Sequence, residues 1–167
     1  MFFKPFGGVS GAPADEQHAC ITVKMEKKYD CLKLENQLCF PLYACSKEIV
    51  RRYKPLLDEL DLTYTQYITM MVLWEHGSVN VKELGDYVCL DSGTLTPLLK
   101  KLESKGYVTR TRSKDDERCV TAEVTPEGMK LRDKAVKVPM KMCGMIGLTP
   151  EEAGTLALLL KKVIKGN

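Results

Sequence analysis

A chain of 167 residues, 44% hydrophobic and 28% charged, is long enough for one domain with a real core plus appendages. Its formal net charge of +3 is too small to establish a nucleic-acid partner by itself, so such a partner has to be argued from where the cations sit. No apolar run approaches a membrane span, and seven scattered cysteines without a secretory signal point to a reduced, cytoplasmic chain rather than a disulfide scaffold.

Residues 1–30 carry turn formers (Pro5, Gly7, Gly8, Gly11, Pro13) and no period. They read as an N-terminal extension, poorly ordered or added ahead of the native start, with Met25 a plausible start of its own. From Leu34 to Leu60 the apolar positions recur at helical spacing (Leu34, Leu38, Leu42, Cys45, Ile49, Tyr53, Leu56, Leu57, Leu60), which predicts a long amphipathic helix. Pro41 either bends it or delays its regular part to about Leu38, and Pro55 predicts a second irregularity. Most of the cysteines are expected as small buried hydrophobes. With no CxxC and only His18 and His76 as histidines, neither a metal nor another cofactor is expected.

Thr63-Tyr64-Thr65-Gln66 has the capping-box pattern, and the helix it opens runs to about Glu75 with Tyr67, Met70, Met71 and Trp74 on its apolar face. His76-Gly77 ends it. Asn80 caps a short helix with Glu83 three residues on, and Gly85 and Cys89-Leu90 lead into a turn. Asp91 caps the next helix, Ser92 to Lys105, which Gly106 stops and Pro97 is expected to kink. Then come a strand (Tyr107 to Arg112), a charged loop (Ser113 to Arg118) and a second strand (Cys119 to Val124). Thr125-Pro126 opens a helix to about Met145 with a bend at Pro139, and Thr149-Pro150-Glu151-Glu152 caps a last helix carrying Leu156, Leu159, Leu160 and Val163.

The order helix, turn, helix, strand, charged loop, strand describes a winged helix-turn-helix, a shape that grips duplex DNA. The fold class is mainly α with a small β wing. The DNA-binding unit spans 63–124 within a domain of 31–167. Helices 34–60 and 125–165 flank it with apolar faces that need a partner surface, which predicts an intertwined homodimer through the N- and C-terminal helices. Short hydroxyl side chains (Ser92, Thr94, Thr96) crowd the start of the presumed recognition helix beside Pro97, where the helix dipole favours phosphate. Lys100 and Arg110 extend this cationic surface. Arg112, Lys114 and Arg118 are spaced to reach a minor groove, with Asp116 able to hold Arg118. The blander reading is a solvated basic face.

The runs Val81-Lys82-Glu83-Leu84-Gly85, Leu90 through Glu103 and Asp115-Asp116-Glu117-Arg118 resemble the MarR family of dimeric winged-helix regulators. Asp91-Ser92-Gly93-Thr94-Leu95-Thr96-Pro97 and Leu34-Glu35-Asn36-Gln37-Leu38-Cys39-Phe40 are more specifically similar to its organic hydroperoxide-sensing (OhrR) subgroup. The likeness covers about Leu32 to the C-terminus.

Read from the residues alone, Cys39 and Tyr43 share a face of the first helix, near an N-terminal end whose dipole and free N–H groups favour a thiolate. A thiolate attacks a peroxide oxygen to give a sulfenic acid, and Leu38, Phe40 and Leu42 would admit a lipid-like peroxide. A cysteine on an apolar helix face is more often plain core. The resemblance implies that Cys39 is the redox sensor and that Tyr43, Tyr53 and Tyr64 hold its thiolate, the last two from the partner subunit. It also implies that Cys143 is the candidate resolving thiol, against the alternative that Cys143 packs among Met140, Met142, Met145 and Ile146. Otherwise a small thiol would cap Cys39. The expected function is a repressor, not an enzyme, that binds double-stranded operator DNA when reduced and releases it on oxidation by an organic hydroperoxide. Competing readings are release by a phenolic ligand without thiol chemistry, a thiol peroxidase, and a winged helix used only for protein contacts.

Overall fold

The computed structural model of the protein describes residues 28–112 and 119–165. The expectation for residues 1–27 and those for Lys114, Asp116 and Arg118 lie outside the described residues. The chain divides into two units, residues 1–49 and 50–167, each described by itself.

In the first unit, two 3-10 turns (Asp30–Leu32 and Leu34–Asn36) precede helix α1 (Cys39–Asp58), which continues into the second unit. Asn36 Nδ2 donates to the Asp30 carbonyl at 2.9 Å and Lys33 pairs with the Asp30 carboxylate at 2.8 Å. These bonds give the backbone before α1 its own partners, so the helix does not begin at Leu34 as the apolar spacing suggests. Its regular part starts at Cys39, and Pro41 falls in the first turn, where a missing N–H costs no helical bond.

The second unit is a helix-turn-helix with a sheet beside it. Helix α2 (Tyr64–His76) opens with the expected box: Thr63 Oγ1 accepts from the Gln66 N–H at 3.3 Å, and Gln66 Oε1 accepts from the Thr63 N–H at 3.0 Å. Its core face is Tyr67, Met70 and Leu73, whereas Met71 is exposed, because the i, i+3, i+6 row points inward and Met71 lies off it. Strand β1 (Ser78–Asn80), helix α3 (Val81–Val88) and helix α4 (Ser92–Ser104) follow, then β2 (Val108–Arg112) and β3 (Val120–Val124). The sheet is antiparallel with order β1-β3-β2, so it has three strands where the sequence reading has two. Three residues are too few to show the alternation that marks a strand.

Gly85 sits where α3 turns toward α4; a Cβ there would lie 2.7 Å from the Leu90 carbonyl oxygen, so the turn closes only on glycine. Gly106 (φ +75°) ends α4: its N–H reaches the Glu103 carbonyl at 2.9 Å and the Tyr107 N–H reaches that of Leu102 at 3.0 Å. That reversal lays β2 back along α4.

Helices α5 (Pro126–Ala135), α6 (Lys137–Ile146) and α7 (Pro150–Lys165) complete the chain. The expected single helix to Met145 is interrupted at Val136, one turn ahead of Pro139, where Val136 keeps right-handed helical angles (φ −56°, ψ −27°) and its N–H reaches the Arg132 carbonyl at 3.1 Å. The proline ring excludes a bond to the carbonyl four residues earlier, that of Ala135, so the interruption falls a turn ahead of the proline. The core joins Leu57, Leu60 and Leu62 to Leu73, Leu84, Leu95, Leu99, Leu102, Val108 and Ala122, each fully buried leucine contributing about 1.5–3 kcal/mol. No helix among the described residues is long and apolar enough to cross a membrane.

Candidate DNA interface and thiol site

The start of α4 is built by Asp91. Its Oδ1 accepts the Thr94 N–H at 2.9 Å and its Oδ2 accepts the Thr94 hydroxyl at 2.8 Å. These two bonds, the backbone one first, hold the Asp91 carboxyl below the usual aspartate range. Ser92, Thr94, Thr96 and Pro97 are all exposed on the first two turns, and Lys100 is exposed one turn further on. Two hydroxyls are already in use: that of Thr94 in the cap, and that of Thr96 donating to the Ser92 carbonyl at 2.7 Å. Each keeps lone pairs to accept with. Pro97 sits within a helix that runs on to Ser104 without interruption, and the bond it forgoes is to the Gly93 carbonyl.

An open groove of about 350 Å³ separates α4 from the wing strands, lined by Val81, Thr96, Leu99, Lys100, Arg110, Arg112 and Val120. Its floor is aliphatic and its rim cationic. Arg112 is exposed at the end of β2. Arg110 is not free in the same way: its Nε and Nη2 donate to Glu103 Oε2 at 3.0 and 2.5 Å. The Arg110 bonds hold the Glu103 carboxyl below the usual glutamate range, with Lys100 adding a smaller pull. Glu103 is absent from the residues singled out in the sequence. The only signal it offers there is an opposite charge seven positions ahead of Arg110.

Cys39 is the first residue of α1 and is exposed, and Tyr43 lies one turn on, also exposed, with Lys47 Nζ 3.3 Å from its hydroxyl. In the other unit, Tyr53 and Tyr64 stack at a tilt with ring centroids 5.0 Å apart, and Tyr67 lies 5.9 Å from Tyr53. Burial pushes the Tyr53 phenol up, and neighbouring Tyr64 and Cys143 add to the rise. Cys143 therefore lies within electrostatic reach of Tyr53. Its α6 neighbours do not enclose it: Met142 is buried, but Cys143, Met140, Met145 and Ile146 are exposed.

The expectation that most cysteines are buried fails among the described residues. Cys39, Cys45, Cys89, Cys119 and Cys143 are exposed and Cys31 is half-buried. None of the five exposed ones lies on a core-facing stripe; Cys89, for example, ends α3 in a left-handed conformation with φ 53°. Among the described residues no group of His, Cys, Asp and Glu is arranged to hold a metal.

Known proteins share this architecture. A family model described as transcriptional regulator SarA/Rot matches residues 51–135. The organic hydroperoxide resistance transcriptional regulator of Bacillus subtilis (strain 168) is 47% identical over 141 residues, covering 84% of this chain and 96% of that protein. The HTH-type transcriptional regulator SarZ of Staphylococcus aureus is 42% identical over 134 residues, 80% of this chain and 90% of that one. Reduced AbfR bound to DNA superposes with a TM-score of 0.69 at 29% identity, over 83% of this chain and 97% of that chain. The same protein, from Staphylococcus epidermidis, in its disulfide-formed state gives 0.58 at 31% identity, over 82% and 96%.

Proposed function

The chain belongs to the MarR family of winged-helix transcriptional regulators, with the organic hydroperoxide regulators, and on that premise we propose that it is a dimeric repressor that holds operator DNA while Cys39 is reduced and releases it when an organic hydroperoxide oxidises that thiol. It is a DNA-binding regulator with redox sensing, and not an enzyme. What carries the finer reading is Cys39 itself: an exposed thiol at the first position of a 20-residue helix, one turn before a tyrosine. Within that first turn Pro41 has no N–H, and the Cys39 and Phe40 amides, which lack a helical partner, are the ones that can donate to a thiolate.

The chemistry balances without a cofactor. The Cys39 thiolate attacks one peroxide oxygen, an S–O bond forms, the O–O bond breaks and the alcohol leaves, so sulfur loses two electrons. The partner subunit's Cys143 then attacks the sulfenic sulfur, an S–S bond forms and water leaves. Two observations favour this second step: Cys143 is exposed, and it shares the neighbourhood of Tyr53. If Tyr53 and Tyr64 of one subunit face Cys39 of the other, both thiols meet at one pair of phenols.

The dimer reading is supported by α7, whose Leu158, Leu159, Val163 and Ile164 are more than half exposed in the single chain. A two-fold dimer presents two α4 helices to a pseudo-palindromic site. Ser92, Thr94, Thr96, Pro97 and Lys100 meet the major groove and its phosphates. Arg112, exposed at the end of β2, reaches the minor groove. To move occupancy from 99:1 to 1:99, oxidation must favour the non-binding arrangement by about 5.5 kcal/mol.

The test is a gel shift with and without cumene hydroperoxide, beside mass spectrometry of Cys39. Wild type should lose the shifted band as Cys39 gains oxygen or a disulfide, and Cys39→Ser should bind and stay bound. Release of the serine variant by peroxide, or release of wild type with Cys39 unmodified, would overturn the mechanism.

A further inference from the structure

We propose that Arg110 is a positioning residue of the DNA interface and not a phosphate ligand: Glu103 holds its guanidinium, and the pair braces the wing strand against the recognition helix. The proposal rests on the DNA-binding reading and deepens it.

Arg110 is the middle residue of β2. Its backbone is paired with Ala122 of β3, which is wholly buried and pairs in turn with Val79 of β1. The strand therefore cannot slide, and the side chain is pinned at its far end by two N–H groups on one Glu103 oxygen. The Arg110 side chain is 23% exposed, against 37% for that of Glu103. Lys100, one turn before Glu103, adds a second cation that keeps this carboxylate ionised. Arg112 lies two residues beyond Arg110 and so on the same strand face, exposed at the groove. The groove's cations thus divide into two kinds. Arg110 is already neutralised and fixes an angle; Lys100 and Arg112 are the ones left to displace counter-ions from DNA.

Counter-ion release makes the division measurable, because the slope of log K against log[salt] falls by about 0.9 for each phosphate that the protein ceases to neutralise. Reduced full-length protein is titrated with sonicated duplex DNA across a salt series. Lys100→Ala and Arg112→Ala should each flatten the slope by about 0.9. Arg110→Glu, which sets two carboxylates together, should weaken binding by about tenfold or more. The Glu103→Arg/Arg110→Glu double variant should recover to within about threefold of wild type, because the pair is restored with its polarity reversed. The charge-neutral Glu103→Met/Arg110→Met variant should keep the wild-type slope. On wild type itself, the Arg110 Nε–H resonance should hold its position when DNA is added, while that of Arg112 moves.

A reversed pair as weak as Arg110→Glu alone, a Met pair with a slope lower by about 0.9, or an Arg110 resonance that moves with DNA would each overturn the brace. A wild-type protein with no steep slope would instead sink the DNA-binding reading.

Discussion

Asp91 is a single carboxylate that starts the recognition helix, and it should titrate with it. The Thr94 N–H and hydroxyl lower its folded-state pKa, as Arg110 lowers that of Glu103. For a depressed carboxyl the stabilisation is fully present above the unfolded-state value, about 3.9 for Asp and 4.3 for Glu, and is lost as pH falls through the lower folded-state value. The melting temperature of wild type should therefore fall with acid below about pH 4. An Asp91→Asn/Glu103→Gln variant, which keeps one carbonyl oxygen at each site but cannot titrate, should fall less steeply over that window. Parallel acid limbs in the two proteins would show that the bonds do not matter to stability. The role of Asp91 is legible along the chain because a cap is a local event: an acceptor three residues before the amide it serves. That of Glu103 is not. Its partner comes near only because Gly106 reverses the chain, and charge spacing carries no record of that reversal.

Among the elements, the caps give the boundaries and the prolines mislead. Thr63, Asn80, Asp91, Thr125 and Thr149 all open helices where expected, since each side chain satisfies amides within its own first turn. Thr63→Ala should destabilise the protein by about 1 kcal/mol, read as a lower urea midpoint at unchanged m-value, because the Gln66 half of the box cannot replace the lost acceptor. An unchanged midpoint would mean that tertiary packing alone holds α2 in place. Pro139 announces an interruption but not its site, because the bond it forbids belongs to the carbonyl four residues upstream. Strand β1 escapes a reading of the sequence for a different reason. It exists through pairing with β3, some forty residues on, and not through any pattern of its own.

In the molecule as a whole, α7 presents more apolar surface than one chain covers, with Ile164 73% and Leu158 65% exposed. In the proposed dimer this face is the contact. Val163→Glu should then shift the sedimentation profile toward monomer and weaken DNA binding, since two half-sites would no longer be engaged together. A fully dimeric Val163→Glu protein with wild-type affinity would place the contact elsewhere. The thiols belong to this level too. Cys39 stands out by its place near a helix start and by its resemblance to known sensors, and the helix does begin at that residue. The exposure of the remaining cysteines cannot be read from composition, which says how apolar a side chain is and not which face of the fold it lands on.

Local signals along the chain are enough for the winged helix-turn-helix, its caps and the thiol at the head of α1, because periodicity, capping and turn glycines act within one or two turns. Packing in three dimensions is what makes the sheet three-stranded, brings Cys143 toward Tyr53 and sets Arg110 on Glu103. Those pairings join residues that become neighbours only after the chain has reversed on itself, where the governing quantity is distance in space and not distance in sequence.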